Sequence, residues 1–172
     1  MNPNTYVFLD FDGVLNNSLS WDFEREAKHG NKFLDHRAVK AFSKFMEKTP
    51  NSVLVISSVW RLYANSEALD ETLANLGYTG PKISFYTPCG HTRDRAMTRF
   101  VEIRDFIKEH KVDEYVIFDD MNILPFIMRE PEKIVDANRF IHVNSEVGLT
   151  YTDLDAAADV IHTFWTKPVH LF

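Results

Sequence analysis

The sequence predicts an α/β domain of the doubly wound, Rossmann-like type, a parallel sheet with helices on both faces. Short apolar runs alternate with segments whose apolar residues recur at helical spacing, the pattern of strand–helix–strand units. Some of those runs are apolar without interruption, as strands buried on both faces are. The chain has 172 residues, 45% hydrophobic and 26% charged, ordinary values for one globular domain of about 150 residues. A single domain over residues 1–172 is expected, with no linker or repeat dividing it.

The elements follow in order. Tyr6-Val7-Phe8-Leu9 reads as a strand running into Asp10-Phe11-Asp12-Gly13. From His36 to Lys48, Val39, Phe42, Phe45 and Met46 mark one helical face, and Thr49-Pro50-Asn51 ends it. Val53-Leu54-Val55-Ile56 is a second strand. Leu69, Leu73 and Leu76 share a helical face, with Gly77 where a C-terminal cap belongs. Ile83–Tyr86 is a weaker strand, Phe100, Ile103, Phe106 and Ile107 mark a helix, and Tyr115-Val116-Ile117-Phe118 is a strong strand ending in Asp119-Asp120. Phe140–Val143 is the last strand. Thr152 and Asp155 have capping-box spacing and would open a helix through Leu154, Ala158, Ile161 and Trp165. Residues 16–35 break the rhythm and are read as a small flap over the sheet's mouth; residues 121–138, broken by Pro125 and Pro131, fit no element.

Composition limits the function classes. Against 25 Asp and Glu there are 19 Lys and Arg, a net charge of -6. No global positive field draws the chain onto duplex nucleic acid, so a phosphate-bearing partner must be met by a local cluster. The one cysteine, Cys89, excludes an internal disulfide framework and points to a reducing, cytoplasmic setting. No apolar run approaches the ~18 residues of a membrane span, and no obligate protein partner is expected.

Ligands of open α/β sheets bind beyond the carboxyl ends of the strands. There the sequence puts Asp10 and Asp12, then Ser57 and Ser58 with Arg61 close behind, then Asp119 and Asp120. Carboxylates crowded together repel, and burying them unpaired is costly. A divalent cation resolves this, and oxygen-only ligands favour Mg²⁺ over zinc. Asp12-Gly13 alone is a common turn dipeptide.

The whole phrase Val7-Phe8-Leu9-Asp10-Phe11-Asp12-Gly13-Val14-Leu15 resembles the first motif of the haloacid dehalogenase-type (HAD) phosphohydrolases. The resemblance implies that Asp10 is the nucleophile, forming an aspartyl-phosphate, and that Asp12 is the general acid and base. It implies phosphate binding by Ser57, with Ser58 as fallback, and a Mg²⁺ site of Asp10, the Asp12 main chain, Asp119 and Asp120. The family's third motif is a cation upstream of the last acidic strand. Arg93, Arg95 and Arg99 are candidates, with Arg95 slightly preferred because its distance through Glu102-Ile103 to Asp119 and Asp120 resembles that in the 3′-phosphatase domain of phage polynucleotide kinase. Three finer phrases resemble small phage and bacterial members of the superfamily in RNA-repair contexts. They are Trp60-Arg61 after the serines, Arg99-x-x-Glu102-Ile103, and Gly148-Leu149-Thr150. The gaps between motifs leave no room for a full cap domain, so an open site is expected.

The implied activity is a Mg²⁺-dependent phosphomonoesterase for a nucleotide or a nucleic-acid 3′-phosphate end. A small-metabolite phosphatase and a silent binding module on the same scaffold are the alternatives; retention of Asp12 argues against the second. Of the other residues, His142 reads as a core residue, His91 as a loop residue, and Cys89 as no nucleophile. Trp21, Phe23 and Trp60 are candidate base-stacking aromatics.

Overall fold

A computed structural model describes residues 4–18, 34–49, 51–90 and 92–161. The flap expected at 16–35 lies mostly outside these residues, as do His91 and Trp165. The described chain runs β1 (Thr5–Leu9), α1 (His36–Lys48), β2 (Ser52–Ile56), a 3₁₀ turn (Val59–Leu62), α2 (Ser66–Asn75), β3 (Ile83–Tyr86) and α3 (Arg95–His110). It continues through β4 (Tyr115–Asp119), α4 (Leu124–Arg129), a second 3₁₀ turn (Ala137–Arg139), β5 (Phe140–His142) and α5 (Tyr151–Val160). The five strands form one parallel sheet in the order β3-β2-β1-β4-β5. This is the α/β class expected from the alternation of runs.

Alternation along each strand sends side chains to two cores. Val7, Leu9, Leu54, Ile56, Val116 and Phe118 face one core, filled by Phe42 and Phe45 of α1, Leu69 and Leu73 of α2, and Leu154 of α5. Phe8, Val55 and Ile117 face the other, filled by Phe100, Ile103, Phe106 and Ile107 of α3 and Ile127 of α4. Phe118 sits edge-on to Phe45 at 5.5 Å, and Phe8 edge-on to Phe106 at 5.4 Å, the geometry that ring quadrupoles favour. Both-face burial explains why the central strands are uninterrupted apolar runs.

The strand order reverses beside β1: the chain winds outward through β2 and β3, then returns to β4 on the other side. A sheet of this kind opens a crevice where its order reverses. Leu9 pairs with Phe118, so Asp10 emerges beside Asp119, and the Asp10 amide donates to the Phe118 carbonyl at 3.1 Å.

Two segments differ from the sequence reading. The capping box lies two residues earlier than Thr152 and Asp155. Thr150 is the cap, its amide donating to Asp153 Oδ2 at 2.8 Å and the Asp153 amide donating back to Thr150 Oγ1 at 3.4 Å. The start is set by tertiary docking, because the Leu149 amide donates to the Val14 carbonyl at 2.8 Å and holds the chain just before the helix. Residues 121–138 hold the short α4, with Pro125 in its first turn, where a missing N–H costs nothing. Buried Glu130 then accepts the Ile134 and Val135 amides at 3.0 and 3.1 Å, and Tyr115 Oη accepts the Asp136 amide at 2.7 Å. Side chains, not a repeating backbone pattern, satisfy this loop, so periodicity did not reveal it.

Asp35 caps α1 by accepting the Arg37 amide at 2.8 Å. Burial pushes its carboxyl up, but hydrogen bonds from the Arg37 amide and guanidinium outweigh this and hold it below the ordinary Asp value. A depressed folded-state value means stability that is present above the ordinary Asp range and lost as pH falls through the folded value. Asp35→Ala is expected to cost about 1 kcal/mol near neutral pH. Urea unfolding of both proteins across pH should show the gap closing in acid.

Candidate active site

The first turn after β1 builds the site. Gly13 has φ +77°, which favours glycine, and a Cβ there would lie 2.4 Å from Asp120 Oδ2. This close approach, not only the turn, requires glycine. The Asn16 side chain closes the loop: its Oδ1 accepts the Gly13 amide at 2.7 Å and its Nδ2 donates to Asp12 Oδ1 at 2.9 Å. Asn16 was missed in the sequence, although its four-residue offset from Asp12 was a usable signal. Gly148, φ +76°, packs against this turn, with the Val14 carbonyl 3.1 Å from where its Cβ would be. Gly13→Ala is expected to displace Asp120 and cost more than about 1 kcal/mol. Thermal unfolding measured on the variant should show a lowered midpoint.

Asp10, Asp119 and Asp120 bring carboxylate oxygens within 4.8 Å of one another. Asp10 is 2% exposed and Asp119 fully buried. Asp10 Oδ1 accepts the Phe11 amide at 2.8 Å, and its Oδ2 pairs with Arg99 Nη1 at 2.9 Å. The same Nη1 hydrogen-bonds Asp119 Oδ2, and Asp119 Oδ1 accepts the Met121 amide at 2.9 Å. Burial pushes the Asp119 carboxyl up; Arg99 and the Met121 amide pull it down, and Asp10 and Asp120 add to the rise. Asp120 also rises, through burial and Asp10, with Arg99 opposing. Burial alone would lower the Arg99 guanidinium, but the Asp119 and Asp10 charges hold it above its ordinary value.

Of the candidate cations, Arg99 therefore meets the carboxylates. Arg95, one turn earlier at the start of α3, is exposed on the cleft wall, and Arg93 is exposed in the preceding loop. The helix carries position 99 one turn deeper over the strand ends. Of the serines, Ser58 Oγ caps the 3₁₀ turn by accepting the Trp60 amide at 3.4 Å. Ser57 follows β2 beside β1, its amide donating to the Leu9 carbonyl at 3.0 Å, and its buried Oγ has no hydrogen-bond partner among the described residues.

Behind the carboxylates lies a second buried ionic layer. Arg61 Nη1 donates to the Ser57 carbonyl at 2.6 Å, and Arg61 Nη2 pairs with Glu102 Oε1 at 2.8 Å, their side chains being 4% and 6% exposed. Glu102 Oε1 also accepts the Gly90 amide at 2.8 Å, and its Oε2 lies 3.8 Å from Arg99 Nε. Glu102 thus ties the loops after β2 and β3 to the arginine on α3. His142 is not a core residue: it is exposed at the end of β5, where its Nε2 donates to the Asp120 carbonyl at 2.9 Å.

Asp10, Asp120 and Arg99 open into a cleft of about 950 Å³ whose walls carry Asp12, Asn16, Trp60, Arg95 and Met121, with Asp119 buried behind them. A family described as HAD domain in Swiss Army Knife RNA repair proteins matches residues 6–154. The chain belongs to this HAD family. The match runs from β1 into the first turn of α5 and includes every site residue above. No curated protein and no solved structure shows significant similarity to the chain. Within the HAD domain the finer sequence phrases have structural counterparts: Arg61 and Glu102 form the second ionic layer, and Gly148 backs the Asp12 turn. Among the described residues no helix is long and apolar enough to cross a membrane.

Proposed function

We propose that the protein is a Mg²⁺-dependent phosphomonoesterase that works through an aspartyl-phosphate at Asp10 and acts on a nucleotide or a nucleic-acid 3′-phosphate end. The observation that carries this reading is the set of three clustered carboxylates, Asp10 and Asp120 on the floor of an open cleft and Asp119 buried behind them, with Arg99 bridging Asp10 to Asp119. The donor set is carboxylate oxygen, which suits a hard divalent cation, and the Asp10, Asp119 and Asp120 oxygens are spaced to share one. When bound, Mg²⁺ supplies charge neutralisation for the phosphoryl group and these carboxylates.

The chain's own residues do the rest. The Phe11 amide and Arg99 fix both oxygens of Asp10, so the carboxylate is oriented before substrate arrives. One Asp10 oxygen bonds to phosphorus as the bond to the leaving oxygen breaks. Asp12, held by Asn16 at 2.9 Å, gives that oxygen a proton. Asp12 then takes a proton from the water that attacks the acyl-phosphate, restoring Asp10 and releasing inorganic phosphate. The Ser57 hydroxyl, which has no hydrogen-bond partner among the described residues, has a donor to offer a phosphoryl oxygen. Such fixed donors and charges account for most of the rate in phosphoryl transfer.

The nucleic-acid substrate is supported by the family's RNA-repair description and by a cleft larger than a phosphoryl group requires. The test compares phosphate release from 3′- and 5′-phosphorylated oligonucleotides, free nucleotides and sugar phosphates, with Mg²⁺ and then EDTA. Release from 3′-phosphorylated ends, abolished by EDTA, is expected. Preference for sugar phosphates would replace the substrate assignment, and silence on every ester would favour a binding module.

A further inference from the structure

The catalytic residues account for only the floor of the cleft. A volume of about 950 Å³ is at the upper end of what holds a whole small-molecule ligand. Above the floor one wall carries Trp60, with Val59 beside it, and another carries Arg95 and Ala96. Of the aromatics singled out in the sequence, Trp21 and Phe23 lie outside the described residues, whereas Trp60 forms part of this wall.

Trp60 is held in place. Its ring meets Phe11 edge-on, with centroids 5.2 Å apart, and Phe11 is the residue between Asp10 and Asp12. Its amide donates to Ser58 Oγ, and the following residue, Arg61, anchors the turn to the Ser57 carbonyl and to Glu102. The indole is half-buried, so part of its surface remains open to the cleft. A rigid aromatic ring one ring contact from the reacting carboxylates suits a planar apolar group carried next to the phosphate. Arg95 is exposed on the cleft and makes no ion pair with the described residues, so its charge is available to a second anionic group.

We propose that Trp60 stacks on the terminal base of a 3′-phosphorylated single strand while Arg95 meets the preceding phosphodiester, so that the cleft recognises a nucleotide unit of a polymer end. This rests on the 3′-end reading above and adds the residues that select the substrate. Stacking on an aromatic ring tolerates any base, which fits an end-processing site indifferent to sequence. The planar base and the second phosphate are what a sugar phosphate lacks.

The test measures binding without turnover, in an Asp10→Asn background with Mg²⁺, by fluorescence anisotropy of a short labelled strand. One strand ends in an ordinary 3′-phosphorylated nucleotide and the other in a 3′-phosphorylated abasic sugar. The base-bearing end is expected to bind about ten-fold more tightly. Adding Trp60→Ala should erase that difference, and Trp60→Phe should keep most of it. Arg95→Gln should reduce the slope of log affinity against log salt by about 0.7, the value for one lost single-strand phosphate contact. Equal binding of the two ends when Trp60 is intact would overturn the proposal, whatever the folding of the variants. So would a base preference that survives Trp60→Ala, an unchanged salt slope, or no binding of either end. Base-dependent binding by a protein that releases no phosphate would instead sink the hydrolase reading and leave Trp60 in its role.

Discussion

Asp10→Asn is expected to lower phosphate release by at least about three orders of magnitude, the scale seen when a catalytic nucleophile is removed, while the protein remains folded. The carboxylate is buried at the end of β1, where Oδ1 accepts the Phe11 amide and Oδ2 pairs with Arg99. Asparagine keeps the shape and one acceptor oxygen, so the turn into Gly13 and the packing of Phe11 persist. What disappears is a negatively charged oxygen able to bond to phosphorus. Circular dichroism and thermal unfolding should show a native protein, and a phosphate-release assay should be near background. Substantial Mg²⁺-dependent turnover in this variant would remove Asp10 from the nucleophile's place.

Arg99→Met is expected to damage both stability and activity. The guanidinium is 3% exposed and shares Nη1 between Asp10 and Asp119, with Glu102 Oε2 near its Nε. Methionine fills part of the space but leaves buried carboxylates without their cation. Breaking a buried pair in this one-sided way costs about 3–5 kcal/mol, and losing a positive charge beside a phosphoryl group costs about 10²–10³ in rate. Urea unfolding should show a lowered midpoint that saturating Mg²⁺ partly restores, because a ligand of the folded state adds stability by mass action. Arg99→Lys keeps the charge and should lie between. If Arg99→Met unfolds at the wild-type midpoint with or without Mg²⁺, the carboxylates do not depend on this cation.

The architecture and the acidic rim were legible because both rest on local patterns. Val53–Ile56 and Tyr115–Phe118 are apolar throughout because they are covered on both faces, and carboxylates directly after Leu9 and Phe118 had to reach the same edge of a parallel sheet. Which arginine meets them was not legible: positions 95 and 99 are one turn apart on α3, and only the tertiary packing of that helix leaves Arg95 exposed on the wall and buries Arg99 against the carboxylates. The second ionic layer was also hidden, since Arg61 and Glu102 are far apart in the chain and meet only through packing. His142 was misread because its strand is apolar at Phe140 and Ile141 but ends at the exposed histidine. The start of α5 shifted because a tertiary hydrogen bond from Leu149 to Val14 outranked the equally good spacing of Thr152 and Asp155.

The most direct measurement is an acid quench of Asp12→Asn with a phosphorus-labelled 3′-phosphorylated oligonucleotide and Mg²⁺, followed by peptide mapping of the protein-bound label. Asp12→Asn is expected to slow both formation and hydrolysis of the covalent species, so the label that does transfer should persist as a base-labile acyl-phosphate on the peptide containing Asp10. Label on Asp119 or Asp120, or continued phosphate release with no labelled protein, would contradict the account.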